Sequence, residues 1–293
     1  MYKDKILKVG TFFTGIGSPE KAIERLKDEG YIKDYKVEFF SEIDNNAVKS
    51  YCAIHNISEY LNLGDITKIK GNNLPYCDIW IGGFPCQDIS VAGKMKGFES
   101  NTSTRSSLGW EMIRLLKEVK VMPEYVIFEN VSAIKSKRFK ETLDLFKEDL
   151  TQLGYTLYDD LLCAIDYGIP QTRTRYFLIA IKDKNKIFKF PKKIGTSIKL
   201  KDLLDVDVDE KYYLTDLTYA EKPNKRVFRH KIRNNIEYEV DMSKFASGGI
   251  CGVDKHTKFE ISSRLFSIYG NAPTLTASNT ADNSKIVVES ESD

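Results

Sequence analysis

Short apolar runs alternate with stretches of helical period over the first 180 residues. Ile6 to Phe13 predicts a strand, Pro19 to Glu29 a helix, Val37 to Glu42 a second strand, and Asn45 to about His55 a second helix. Farther along, Ile79 to Gly82 predicts a buried strand. Trp110 to Val119 predicts a helix with Met112, Leu115, Leu116 and Val119 on one buried face. Tyr125 to Phe128 predicts a strand, Phe139 to Leu153 a helix, and Tyr176 to Ile181 a closing strand. Such alternation predicts an α/β fold, a Rossmann-like parallel sheet with helices on both faces. After Lys182 the pattern breaks into Lys-rich connections and short β-like pieces, Lys211 to Leu214, Ile236 to Val240 and Ile286 to Val288. A separate, smaller, irregular, β-containing domain is expected there, with the division at 1–183 and 184–293.

A chain of 293 residues holds one sizeable core and a smaller second unit. Its net charge of +2 conceals an asymmetry: residues 182–264 carry 19 Lys and Arg against 13 Asp and Glu, a local excess of +6. The densest part, Lys222 to Arg233, holds six basic and no acidic residues. It suits either a solvated face or a track for a phosphate backbone, with Lys225, Arg226 and Arg229 as candidate contacts. Five scattered cysteines without a Cys-x-x-Cys pair suggest neither a disulfide framework nor a zinc site, and four are expected to be buried apolar side chains. No apolar run is long enough to cross a bilayer, and the N-terminus lacks a secretory apolar segment. A cytoplasmic protein without a membrane role is expected.

The chemistry concentrates at strand ends. Gly82-Gly83-Phe84-Pro85-Cys86-Gln87 follows the apolar run Ile79 to Ile81, placing Cys86 at the exit of a buried strand, where parallel sheets locate their active sites. Glu129-Asn130-Val131 follows another strand, and Gln171-Thr172-Arg173-Thr174-Arg175 precedes the last. Phe13-Thr14-Gly15-Ile16-Gly17 joins the first strand to a helix, a turn that presents amides to an anionic ligand group but also serves mononucleotides, flavins or plain packing. Glu42 suits two ribose hydroxyls and Asp65 an adenine amino group, although each suits a helix cap equally well.

In this order the motifs resemble those of the DNA (cytosine-5)-methyltransferases, from residue 6 to about 181 and weakly again near the C-terminus. The resemblance implies a Rossmann-like S-adenosylmethionine-dependent methyltransferase sheet followed by a target-recognition domain. It implies S-adenosylmethionine, with no metal, held by Phe13, Thr14, Gly15, Ile16, Gly17, Glu42, Ile43, Asp65, Ile66 and Pro85, with Phe13 against the adenine. Thr11 stands where the family commonly has Asp, and Ser18 where it has Gly.

Cytosine C5 becomes nucleophilic only after addition at C6, which Cys86 would perform as a thiolate. Glu129, one residue past its strand and partly desolvated, would share a proton with N3; Arg175 would face O2. Arg173 would lie on the same strand face as Arg175, and Gln87 flanks the nucleophile. The target base must leave the duplex to be reached. The polar stretch 88–105 reads as a loop closing over DNA, with Ser90, Lys94, Lys96 and Arg105 as phosphate contacts and Gly248 and Gly249 as a second close approach.

The family order continues to an Arg-x-Leu-Thr-x-Arg-Glu motif and a Gly-Asn-Ser-Val helix, neither of which occurs here. Gly270 to Ala277 matches the end of the recognition region instead. The expected partners are therefore duplex DNA, a small C-terminal methyltransferase subunit and a cognate restriction endonuclease. A transfer-RNA cytosine methyltransferase and a catalytically silent DNA-binding remnant are the alternatives.

Overall fold

The computed structural model describes residues 2–85 and 108–205 and, beyond these, the backbone of six strands between residues 218 and 287. The chain divides into two compact units: residues 1–162 with 175–191, and residues 163–174 with 192–293.

The first unit is a six-stranded sheet of β1 (Ile6–Phe12), β2 (Asp34–Ser41), β3 (Ile79–Gly83), β4 (Tyr125–Val131), β5 (Thr156–Cys163) and β6 (Thr174–Ile181), ordered β2-β1-β3-β4-β6-β5. Helices α1 (Ser18–Asp28), α2 (Asn45–His55), α3 (Leu108–Glu118) and α4 (Lys140–Gln152) lie between the strands in sequence. Local chemistry sets their ends. Asp44 caps α2 by accepting from the amides of Asn46 and Ala47, while Pro19 occupies the first turn of α1. Asn56, at φ +50°, ends α2.

The sheet is buried on both faces. On one, Phe12, Phe39 and Trp80 pack edge to face with centroids 5.2–6.1 Å apart, continuing through Met112 and Leu115 of α3 to Phe146 of α4. On the other, Leu7, Val9 and Ile81 meet Ile23 of α1. The expected helix face of Met112, Leu115 and Leu116 is fully buried, with Val119 partly so.

β1 pairs in parallel with β2 and β3, and β3 with β4. The expectation of an all-parallel sheet is corrected at β6, which runs antiparallel to β4. β5, absent from the expected elements, lies at the sheet edge beyond β6, and its half-exposed residues lack the apolar run that marks a buried strand. The link from β5 to β6, residues 164–173, carries only a single turn of 3-10 helix, whereas returning to a parallel neighbour takes a crossover of about a dozen residues or more.

The second unit contains a second six-stranded sheet, β7 (Thr218–Glu221), β8 (Val227–Ile232), β9 (Ile236–Asp241), β10 (Ile250–Asp254), β11 (Arg264–Ser267) and β12 (Lys285–Val287), ordered β12-β11-β10-β9-β8-β7. Four of its five pairings are antiparallel and β11–β12 is parallel. The domain expected to be irregular therefore has a regular meander at its centre. The expected pieces near Ile236 and Ile286 are β9 and β12; Lys211 to Leu214 lies outside the described residues.

Candidate active site

Because β1, β3 and β4 are parallel, their C-terminal ends share one edge of the sheet; because β6 is antiparallel, its N-terminal end joins them. Glu129 is the fifth residue of β4 and sits beside Gly83 of β3, where a Cβ on Gly83 would stand 3.0 Å from Glu129 Oε2. The expectation that Glu129 follows its strand is corrected: it lies within β4, which runs on to Val131. In register, Val131 faces Arg175 and Glu129 faces Phe177, so Glu129 and Arg175 are diagonal neighbours. Arg175 Nε lies 3.0 Å from Glu129 Oε1, with the two side chains 21% and 31% exposed, half sheltered and still reachable. Arg173 precedes β6 rather than sharing its face with Arg175, and belongs to the second unit.

Asn130, pointing the other way from Glu129, is buried, and its Nδ2 donates to the carbonyl of Phe84 at 3.2 Å. Phe84 is itself locked against Phe128 and Phe146. The segment entering Cys86 is thus held two residues upstream by a buried amide, a role that Glu-Asn-Val as a mere cap would not have disclosed. Cys86, Gln87, Ser90, Lys94, Lys96, Arg105, Lys225, Arg226, Gly248 and Gly249 lie outside the described residues. Arg229 is in β8, opposite Glu239 in the register, and Lys231 is opposite Glu237. Of the other cysteines, Cys77 is buried, and burial pushes its thiol up to about 12, far from a reactive thiolate; Cys52 and Cys163 are half-buried rather than buried as expected.

Beside this edge lies a groove of about 270 Å³ lined by Phe13, Ser41, Glu42, Ile43, Gly64, Asp65, Ile66, Gly83, Pro85 and Leu108. Six of the ten expected cofactor residues line it. Gly15 joins them indirectly: its amide donates to Glu42 Oε2 at 2.9 Å, while Glu42 Oε1 accepts from the amides of Ile43 and Asp44. Asp65 caps the turn Ile66–Lys68 through Thr67, whose hydroxyl and amide hold its carboxyl below the usual range. The cap occupies only Oδ1. Sequence reasoning missed Asn62, whose side chain bonds the backbone of both Glu42 and Gly64, and Ser41, whose hydroxyl donates to Gly64 O at 2.6 Å.

Phe13, at φ +56°, and Gly17, at φ +84°, shape the turn after β1. Gly17 is crowded, since a Cβ there would meet Tyr51 Cδ2 at 2.9 Å and His55 Cδ2 at 2.7 Å. Ile16 is exposed, and its carbonyl is bonded to His55 Nε2 at 3.0 Å. Thr11, at the family's Asp position, donates its hydroxyl to Glu20 Oε1 at 2.6 Å, and Tyr51 donates to the same oxygen at 2.8 Å. Thr14 Oγ1 and Glu20 Oε2 are buried without a hydrogen-bond partner. A groove lined by Phe13, Ile43 and Ile66 with the carboxylates of Glu42 and Asp65 suits a nucleoside.

A sheet in which β1 to β4 run parallel and β6 runs antiparallel to β4, with helices between the strands, is the fold of the S-adenosylmethionine-dependent methyltransferases. Among solved structures, the fold is similar to a prophage-encoded chain of E. coli (TM-score 0.59, 21% identity, 92% of this chain and 82% of that one). It is also similar to the methyltransferase EhMeth of Entamoeba histolytica (TM-score 0.57, 25% identity, 71% and 62%). The profile of the C-5 cytosine-specific DNA methylases matches residues 7–291, and the chain belongs to that family. It is 32% identical to the orphan methyltransferase M.SPRI of Bacillus phage SPR over 97% of its length, and 42% identical to the type II methyltransferase M2.ScrFI of Lactococcus lactis subsp. cremoris over 55%. The chain spans 66% and 44% of the lengths of these two relatives.

Proposed function

We propose that the chain transfers a methyl group from S-adenosylmethionine to C5 of cytosine in duplex DNA, in the cytoplasm, as part of a modification system. The observation that carries this reading is the Arg175–Glu129 pair at 3.0 Å, on the strand edge that leads from Gly83 into Cys86. The Cys86 thiolate adds to C6 of the flipped base, and the electron pair released moves towards N3 and O2. Glu129 holds the proton at N3, and Arg175 orients Glu129 and sets its positive charge towards O2. Bound S-adenosylmethionine supplies the electrophilic methyl that the activated C5 takes up. Loss of the C5 proton then returns the electron pair to the ring and breaks the C6–S bond, freeing Cys86.

Phe13, Ile43 and Ile66 would flank the adenine, Glu42 would accept from the ribose and Asp65 Oδ2 from the exocyclic amine. Thr14, Ile16, Gly17 and Pro85 would complete the cofactor contacts. Ser90, Lys94, Lys96, Arg105, Lys225, Arg226, Arg229, Gly248 and Gly249 are proposed on the DNA side; Gln87 beside the nucleophile and Arg173, holding Arg175, the target base or its flanking phosphate, complete the catalytic set.

The test is transfer of labelled methyl to unmethylated duplex DNA and, in parallel, to transfer RNA, combined with covalent trapping on C5-fluorinated cytosine. Trapping by the unaltered chain and none by Cys86→Ser is expected. Methylation of transfer RNA alone would move the substrate assignment, and a folded chain that traps neither would make it a DNA-binding protein. Adding the product of an adjacent reading frame to the same assay reads whether a second polypeptide is required.

A further inference from the structure

The groove wall formed by Asp65 and Ile66 is held by more than the hydrogen bonds of its own turn. It belongs to a run of isolated 3-10 turns, Ile66–Lys68 and Gly71–Asn73, which are poor at holding themselves in place. Arg114, in the middle of α3, reaches off its helix and donates from Nη2 to the carbonyls of Ile66 (3.2 Å) and Ile69 (3.1 Å). Glu111 Oε2 sits against the guanidinium edge, 2.8 Å from Nε and 2.7 Å from Nη2, and Glu118 Oε1 lies 2.7 Å from Nη1. Glu118 uses its second oxygen to accept the amide of Gly71 at 2.8 Å. Gly71 can approach because it has no side chain: a Cβ there would stand 2.8 Å from Leu115 O.

Acidic and basic residues three and four apart on a helix ordinarily contribute a few tenths of a kcal/mol and bind nothing else. Here the two glutamates fix the guanidinium plane so that Nη2, which also lies 2.7 Å from Glu111 Oε2, reaches two backbone carbonyls more than forty residues away. Burial alone would lower the Arg114 pKa, but Glu118 and Glu111 more than offset it, so the cation is secured. Leu108, the first residue of the same helix, lines the groove together with Ile66.

We propose that Arg114 is a positioning residue for the methyl donor. It ties the Asp65–Ile66 wall to α3, so that wall and Leu108 keep the width of a nucleoside. This rests on the assignment of the groove to S-adenosylmethionine. The fixed wall acts on cofactor affinity and not on the chemistry at the β4–β6 edge.

The test measures S-adenosylmethionine binding by calorimetry on the full chain, together with amide exchange and methyl transfer kinetics. Arg114→Met is expected to weaken cofactor binding about tenfold, roughly 1.4 kcal/mol. The amides of Ile69 and Gly71 should exchange faster, while kcat at saturating cofactor and KM for DNA stay within about twofold. Arg114→Lys, which keeps the charge but lacks the fork, should fall between, and Glu118→Gln should loosen Gly71 with a smaller loss. Unchanged affinity in Arg114→Met, or a fall in kcat with cofactor affinity intact, overturns the proposal. Should Arg114→Met fail to fold, the same two readings are taken on Arg114→Lys and Glu118→Gln. An unaltered chain that binds no S-adenosylmethionine refutes the groove assignment itself, a result distinct from a variant-specific failure.

Discussion

Arg175 and Glu129 meet across two antiparallel strands, two residues out of direct register, with Nε and Oε1 3.0 Å apart. Glu129→Gln and Arg175→Met are each expected to lower methyl transfer by about 100-fold or more, with cofactor affinity unchanged because neither residue lines the groove. Since the two share one interaction, the double variant should lose much less than the product of the single losses. Initial rates and calorimetry on the four proteins check this.

Asn130 anchors the Phe84 carbonyl and so the approach to Cys86. Asn130→Ala leaves that buried acceptor without its partner, at a cost of about 1–3 kcal/mol. Asn130→Asp should be worse, because it sets a carboxylate against a carbonyl. Trapping on fluorinated cytosine should slow in both while cofactor binding persists. Equal trapping rates would show that Phe84 is held by packing alone.

Gly17 combines φ +84° with contact against the rings of Tyr51 and His55. Gly17→Ala is expected to destabilise by about 1–3 kcal/mol through overpacking and backbone strain. Cofactor affinity should fall with it, since the shifted turn carries Gly15 and its bond to Glu42. Gly15→Ala, where a Cβ meets nothing within 4 Å, carries the strain without the clash and should cost less. Thermal melting with and without cofactor separates the two.

Asp78 lies at the opposite end of the sheet, buried, and accepts from Lys5 Nζ (2.6 Å), the Lys8 amide (2.9 Å) and the Tyr76 hydroxyl (3.0 Å). Burial would raise its pKa, but these donors outweigh it and hold the carboxyl below the usual range. A folded value below the unfolded one, near ~3.9, gives a contribution fully present above that pH and lost as pH falls through the depressed folded value. Denaturant melts should therefore show a loss of stability below about pH 4 that is smaller in Asp78→Asn. A limb of the same steepness in both proteins would assign the acid sensitivity to other carboxylates.

Much of the first unit was legible because its signals are local. A buried parallel strand is a short apolar run, so Ile79 to Ile81 and Tyr125 to Phe128 announced themselves. Helix α2 was read at its full extent, Asn45–His55, because Asp44 caps one end and Asn56 closes the other. That Glu42 and Asp65 share one groove was legible for a similar reason, as they sit at or just past strand and turn boundaries. β5 escaped notice because Thr156 to Cys163 mixes two acids with half-exposed apolar residues at a sheet edge. The basic stretch looked uncompensated because charge is counted along the chain. In the register of the sheet, Arg229 and Lys231 lie opposite Glu239 and Glu237, ten and six residues away in sequence.

By itself the sequence determined the family, the α/β alternation, the residue types at the strand ends and the chemistry those types can perform, all properties carried by a few neighbouring side chains. It did not determine the direction of β6. Had that strand run parallel, as the alternation suggested, Arg175 at its start would have lain at the opposite edge from Glu129 at the end of β4. Only the antiparallel pairing of β6 with β4 brings the two ends together, and only packing brings Asn130 to Phe84 and Arg114 to Ile66. Strand direction and such long-range bonds depend on how a whole core closes, which no local pattern of apolar and polar residues encodes.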